Sequence, residues 1–172
     1  MNKHVIIVGA GIAGLTAGIY ARRSGFEVTL IEQHSIVGGM CTSWKRKGYL
    51  FEGAMHWLTG SKPGSQVHEI WRDTGALEDT VIVSLDDPFA AVEYDGGTLY
   101  LYRNIEKTAE GSLPFVSRME KTFRALGGTL LLSTKVEKVS IQNGVATGVQ
   151  LKDKVIEADA VIVAQETIAA KS

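Results

Sequence analysis

Gly9, Gly11 and Gly14 stand in the pattern G-x-G-x-x-G, and an acid, Glu32, follows about twenty residues further on. Residues of these types at this spacing suit one task, which is holding a diphosphate that is joined to a ribose. Gly9 permits a tight turn. The missing side chain at Gly11 lets the backbone come close to a pyrophosphate, and Gly14 lets a following helix pack hard on a preceding strand. The N-terminus of that helix would turn its unpaired N–H groups and the positive end of its dipole to the phosphates. A carboxylate at Glu32 accepts hydrogen bonds from ribose hydroxyls and repels a 2′-phosphate, which disfavours NADP at this site.

Such a site needs a strand, a turn, a helix and a second strand in sequence. Residues 4–8, HVIIV, form the first apolar run, residues 15–24 read as a helix, and residues 28–31, VTLI, form the second run. A glycine pair, Gly38-Gly39, follows Glu32. Residues 42–53 read as a hairpin turning at Lys47-Gly48, and residues 66–76 as a short helix ending near Gly75. Strands are expected at 81–85, 91–94 and 98–102, the last two joined through Asp95-Gly96-Gly97. A helix is expected over 113–126, with Ser112 as its N-cap and Gly127-Gly128 at its end. A strand at 129–132 follows, then a meander of 136–141, 145–151 and 155–157 whose first turn is Asn143-Gly144. Residues 159–164, DAVIVA, read as a central, buried parallel strand. The order predicts an α/β fold: a Rossmann-like FAD/NAD(P)-binding doubly wound parallel sheet with a β-meander crossover. Residues 1–172 are expected to be a single dinucleotide-binding domain with a short β-rich insertion at about 43–110.

The 172 residues are 45% apolar and 22% charged, ordinary proportions for a globular chain with a sizeable core. A net charge of −1 gives no footing for nucleic acid. No apolar run approaches the roughly 20 residues that cross a bilayer, and no cleavage-site pattern marks a signal peptide. Cys41 is the only cysteine, so no internal disulfide forms and a cytoplasmic setting is expected.

Four segments carry a family resemblance: VIIVGAGIAGLTAGIYARRSGFEVTLIE, VGGMCTSWKRKGYLFEGAMHWLTG, GSLPFVSRMEKTFRALGGTLLLSTKVEKV and ADAVIVA. Together they resemble the flavin-dependent phytoene desaturase, carotenoid isomerase and retinol saturase group of the amine-oxidase-like superfamily. The resemblance implies FAD as cofactor, ahead of NAD, and a lipophilic polyene-like substrate. It implies that Gly9, Gly11, Ala13 and Gly14 line the pyrophosphate and that Glu32, with Gln33 beside it, holds the adenosine ribose. It further implies that Gly38, Gly39 and Met40 lie along the pyrophosphate or ribityl chain, that Val136 meets the adenine through its backbone, and that Ala164 closes over the cofactor. The chain departs from the pattern at Gln33, where the family carries a basic residue, and at Met40, where many members carry Arg. Residues 103–111 stand where the family has a long substrate-binding region, and the sequence ends before the family's C-terminal flavin motif. The resemblance is thus to a cofactor domain lacking both.

Other residues have plainer readings. His56 beside Trp57 reads as a structural histidine, with a general-base role as the alternative. Cys41 reads as a small buried hydrophobe. Lys45-Arg46-Lys47 reads as a solvated hairpin tip, with an anionic lipid surface as the alternative. No metal-ligand spacing and no catalytic triad are evident. Three functions remain open on the sequence: an FAD-dependent oxidoreductase, an FAD- or ADP-binding module without turnover, and an NAD-binding domain. Trp44, Trp57, Phe89 and Leu101 are candidates for an exposed patch that would favour a homo-oligomer.

Overall fold

The computed structural model describes residues 2–55, 58–85, 88, 90–101, 105–108 and 111–165. His56, Trp57 and Phe89 therefore lie outside the described residues, as does the end of the strand expected to reach residue 102. The elements in chain order begin with β1 (His4–Val8), α1 (Ile12–Arg23) and β2 (Glu27–Ile31). A hairpin of β3 (Ser43–Arg46) and β4 (Tyr49–Glu52) follows, then α2 (Gln66–Asp73). Four short strands come next: β5 (Ile82–Leu85), β6 (Ala90–Tyr94), β7 (Gly97–Leu101) and β8 (Ile105–Thr108). The chain then returns through α3 (Ser112–Ala125), β9 (Thr129–Leu131), β10 (Val136–Gln142), β11 (Val145–Leu151), β12 (Val155–Glu157) and β13 (Ala160–Val163).

Four of these strands form one parallel sheet in the order β13-β1-β2-β9. Strand β1 sits inside it and is apolar on both faces. Val5 and Ile7 join the core cluster that holds α1 and α3, whereas Ile6 and Val8 join a second cluster with Val149 and Leu151 of β11. A period-2 strand buried on both sides must be a continuous apolar run, and HVIIV is one. The helices thus cover one face, and the meander β10-β11-β12 covers the other.

Helix α3 brings Phe115, Val116, Met119 and Phe123 to one buried stripe at helical spacing. Helix α1 meets it at Gly18, where an added Cβ would lie 2.9 Å from Cε2 of Phe123. A glycine inside a helix costs about 1 kcal/mol relative to Ala. Here it allows a full phenylalanine to bury, worth about 1.5–3 kcal/mol, so close packing prevails over local propensity.

The structure corrects several sequence expectations. Helix α1 starts at Ile12, directly after the glycine turn, not at residue 15. Ser112 is not the N-cap of α3; that residue is Gly111 (φ 82°), and Ser112 is the first helical residue. Helix α2 stops at Asp73, and Gly75 follows at φ 73°. The turn between β6 and β7 is two residues, Asp95-Gly96, with Gly97 already paired to Tyr94. Strand β8 falls within residues 103–111, where no strand is expected from the sequence, and pairs with β5. Strand β13 is an edge strand, with Ile162 and Val163 41% and 43% exposed, so its apolar sequence did not signal a central position.

Candidate dinucleotide-binding site

Carboxyl ends of β1, β2 and β13 meet the N-terminus of α1 at one edge of the sheet. In doubly wound sheets ligands bind at this edge, where the strand order changes direction. Chain order runs outward from β1 to β2 on one side and to β13 on the other, which puts the switch beside Gly9.

The glycine turn is shaped by its packing. Gly9 (φ 100°) donates its N–H to the Ile31 carbonyl at 2.8 Å. A Cβ on Gly14 would lie 1.9 Å from the Gly9 carbonyl oxygen, so α1 can approach only because position 14 is glycine. Gly11 behaves differently. A Cβ there would meet nothing nearer than the Gly38 carbonyl oxygen at 3.9 Å, so the space above Gly11 is open. Gly11 is also the N-cap of α1, with no side-chain cap, and no acid stands in the first turn. Helix starts normally recruit such groups to satisfy their first N–H groups. This one has neither, a geometry suited to an anion.

Glu32 is 6% exposed and already oriented. Its Oε2 accepts from the Ala10 N–H at 2.7 Å, and its Oε1 accepts from the His34 N–H at 2.9 Å. The acid therefore fastens the glycine turn to the end of β2 as well as presenting its remaining lone pairs. The chain after it is tied to the loop after β9: Thr134 N–H donates to the Glu32 carbonyl at 2.9 Å and Ser133 N–H to the His34 carbonyl at 2.8 Å. That loop leads into Val136, half-buried at the start of β10.

Gly38 and Gly39 form the facing wall. Gly38 N–H donates to the Ala10 carbonyl at 2.8 Å, and Gly11 and Gly38 pair as an isolated parallel bridge. A Cβ on Gly39 would touch the Gly11 Cα at 3.4 Å. Ala164 closes the other side. Its N–H donates to the Val8 carbonyl at 2.8 Å, and its Cβ lies 3.5 Å from a Cβ placed on Gly14. Gly9, Gly11, Gly14, Glu32, Gly38, Gly39 and Ala164 thus converge on one edge. Ala13, Gln33 and Met40 are exposed, Met40 at 74%.

One residue was missed by the sequence reading. Glu52, at the end of β4, accepts the Ser112 N–H at 2.9 Å and so caps α3 from another element. The hydroxyl of Ser112 accepts the Met55 N–H at 3.3 Å. This junction backs the second glycine wall: a Cβ on Gly38 would lie 2.5 Å from the Cys41 carbonyl oxygen and 3.0 Å from Cγ2 of Val116 in α3. Cys41 is buried beneath it. Burial pushes its thiol pKa up; the Ser112 side chain pulls it down, and the Glu52 carboxylate adds to the rise. The only forewarning in sequence was the acid before Gly53, which nothing local marks as a cap.

Two further side chains, both on α2, have structural partners. His68 Nδ1 lies 2.8 Å from the Ser61 carbonyl, and the His68 N–H is held by the Ser65 side chain that starts α2. Trp71 packs edge-on to Phe115 and donates its Nε1–H to the Thr59 carbonyl. Among the described residues, no group of three or more His, Cys, Asp or Glu side chains is placed to hold a metal ion. No helix among them is long and apolar enough to cross a membrane.

The profile of the NAD(P)-binding Rossmann-like domain family matches residues 7–74, a span that contains both glycine turns and Glu32. The fold is Rossmann-like. A curated relative, 4,4'-diaponeurosporene oxygenase of Staphylococcus aureus, is 29% identical over 111 residues, covering 64% of this chain and 22% of the relative. The chain spans about a fifth of that protein's length. Among solved structures, an oxidoreductase from Methanosarcina mazei superposes with a TM-score of 0.79 at 18% identity, covering 93% of this chain and 58% of that one. Glycine oxidase from Bacillus cereus superposes at 0.61 with 14% identity, covering 93% and 56%. These likenesses establish the Rossmann-like fold across almost the whole chain, including the meander that lies beyond the matched family span.

Proposed function

We propose that residues 1–172 form the FAD-binding domain of an oxidoreductase that moves hydride to or from a lipophilic, polyene-like substrate. The observation that carries the cofactor assignment is the facing pair of glycine turns over an uncapped helix start, with an oriented carboxylate at the ribose end. The residues fit the ADP half of a dinucleotide. The open space at Gly11 accommodates a diphosphate oxygen, and the α1 N–H groups receive its charge. Glu32 receives the ribose hydroxyls. Val136 borders the adenine through its backbone, while Gly38, Gly39 and Met40 follow the chain toward the flavin, and Ala13, Gln33 and Ala164 complete the cradle. The oxygenase relative, named for a 4,4'-diaponeurosporene substrate, supports the lipophilic substrate class.

Bound FAD supplies the hydride chemistry, and the protein contributes binding, orientation and electrostatics. Within this chain Glu32 holds one end of the cofactor, and the helix start neutralises its middle. Residues 43–110 act as the β-rich insertion of the same domain.

A visible spectrum of the purified protein tests the cofactor. The expected result is flavin absorption, either as isolated or after adding FAD. A colourless protein that does not take up FAD but gains thermal stability from NAD would overturn the FAD assignment. At 100-fold excess over Kd, a ligand adds about 2.7 kcal/mol of stability. Photoreduction of the bound flavin, followed by a polyene or quinone acceptor, tests turnover; an acceptor left unreduced marks a binding module.

A further inference from the structure

The hairpin β3–β4 leaves the second glycine wall and projects from the body of the protein. Every residue from Trp44 to Phe51 is exposed. Strand register puts Trp44, Phe51, Arg46 and Tyr49 on one face and Lys45 and Leu50 on the other. Trp44 and Phe51 stack at 5.9 Å with their rings 8° from parallel. Tyr49 and Leu50 are 72% and 54% exposed, so apolar groups emerge from both faces. A two-stranded hairpin in water is marginal, and a merely solvated tip gives no reason for a Trp, a Tyr, a Phe and a Leu within eight residues.

Charge identifies what covers them. Lys45, Arg46 and Lys47 lie between Trp44 and Tyr49, with Arg46 opposite Tyr49 and Lys45 opposite Leu50, and no acid occurs between Trp44 and Phe51. None of the three cations has an ion-pair partner among the described residues. A second exposed hairpin, β6–β7, carries Glu93 and Asp95 and no Lys or Arg, so these two tips differ in sign. Trp and Tyr favour the bilayer interface, where an apolar ring meets the hydrocarbon edge and a polar tip meets water, and Lys and Arg favour anionic headgroups. A flat protein partner covers one face of a hairpin, whereas a lipid interface surrounds a tip and covers both.

We propose that the β3–β4 tip docks the protein on an anionic lipid surface, seating the aromatics at headgroup depth and the three cations among the phosphates. The hairpin starts three residues after Met40, so docking sets the exposed end of the cofactor wall beside the lipid. If the substrate is lipophilic, which rests on the function proposed above, the bilayer is its source. Lipid docking itself needs no cofactor and is measurable without it.

Co-sedimentation of the protein with vesicles of phosphatidylglycerol and phosphatidylcholine, compared with phosphatidylcholine alone, tests the docking. Binding to the anionic vesicles is expected, with release as salt screens the charges. Each cation contributes about 1 kcal/mol at such a surface, so the triple change Lys45→Gln, Arg46→Gln and Lys47→Gln is expected to weaken partitioning on the order of 100-fold. Its urea midpoint should match wild type. As a second readout, acyl-brominated lipids should quench wild-type tryptophan emission more than that of Trp44→Phe. The proposal is overturned if the wild type stays in the supernatant, binds neutral vesicles equally well, or binds undiminished after the triple change. It is overturned equally if the hairpin is the contact of a homodimer that excludes vesicles.

Discussion

Replacing Glu32 with alanine separates the ribose-binding role proposed for this carboxylate from the structural role its hydrogen bonds give it. A ribose ligand alone would lower dinucleotide affinity by about 1.5–3 kcal/mol and leave the ligand-free protein unchanged. The structure adds two hydrogen bonds made before any ligand arrives, from Ala10 N–H at 2.7 Å and His34 N–H at 2.9 Å. Bonds to a charged acceptor contribute about 1.5–3 kcal/mol each. The Ala10 amide is buried and stays unpaired in the variant, whereas the His34 amide can turn to water, so the loss comes to about 3–5 kcal/mol. For a domain of this size that corresponds to a fall in Tm of roughly 6–20 °C. Denaturant titration and thermal unfolding of the ligand-free protein measure the first effect, and FAD titration the second. Glu32→Gln, which keeps one acceptor, is expected to show about half the stability loss. A ligand-free Glu32→Ala protein within about 0.5 kcal/mol of wild type would refute the reasoning, because the acid would then not be holding the turn.

Gly11 and Gly14 are expected to fail in opposite ways. Gly11→Ala has room for its Cβ and a backbone (φ −69°) open to any residue, so it should unfold within about 1 kcal/mol of wild type and yet lose dinucleotide binding. Gly14→Ala drives a Cβ into the Gly9 carbonyl and should lower the unfolding midpoint or prevent folding, as circular dichroism would report. Removing the Glu52 carboxylate with Glu52→Ala uncaps α3 and is expected to cost about 1–2 kcal/mol in denaturant titration; no loss would show that Ser112 finds another acceptor. Cys41, with its thiol pKa raised by burial, should react with iodoacetamide far more slowly than after unfolding. Below the unfolded-state thiol pKa both states are protonated and the contribution to stability is complete. Above it the unfolded thiol ionises first, so stability should fall as pH rises through the alkaline range, and Cys41→Ser should remove that part of the slope.

Legibility of this fold in the sequence followed the range of the forces involved. Short-range signals were reliable. The turns Lys47-Gly48 and Asn143-Gly144 have positive φ at both residues and lie where the dipeptides place them. Runs such as HVIIV identified strands buried on two faces. What failed depended on distant partners. Ser112 looked like an N-cap because its residue type is right, but a carboxylate sixty residues earlier takes that role, leaving the serine hydroxyl for Met55. Strand β13 is as apolar as a central strand yet lies at the edge, because composition reports the sheet faces and not the lateral neighbours. Strand β8, IEKT, has two charges in four residues and is paired only because β5 lies opposite.

Within the site, the first wall was legible because the N-terminal unit builds it, while the support of the second was not. Gly38 is confined by Cys41 on one side and by Val116 of α3 on the other, and α3 is fixed by Phe123 against Gly18 and by Glu52 at its start. Strand β9, which follows α3, pairs with β2 and supplies the carbonyl that holds the Glu32 N–H. The matched span 7–74 therefore contains both glycine turns, Glu32, Cys41 and Glu52, but neither α3 nor β9, which back them. Gly38 is bonded to Ala10 within the N-terminal unit, but it is packed from behind by Val116 of α3. The proposed binding site is consequently backed by elements late in the chain, although most of the residues proposed to face the cofactor lie within the first forty positions.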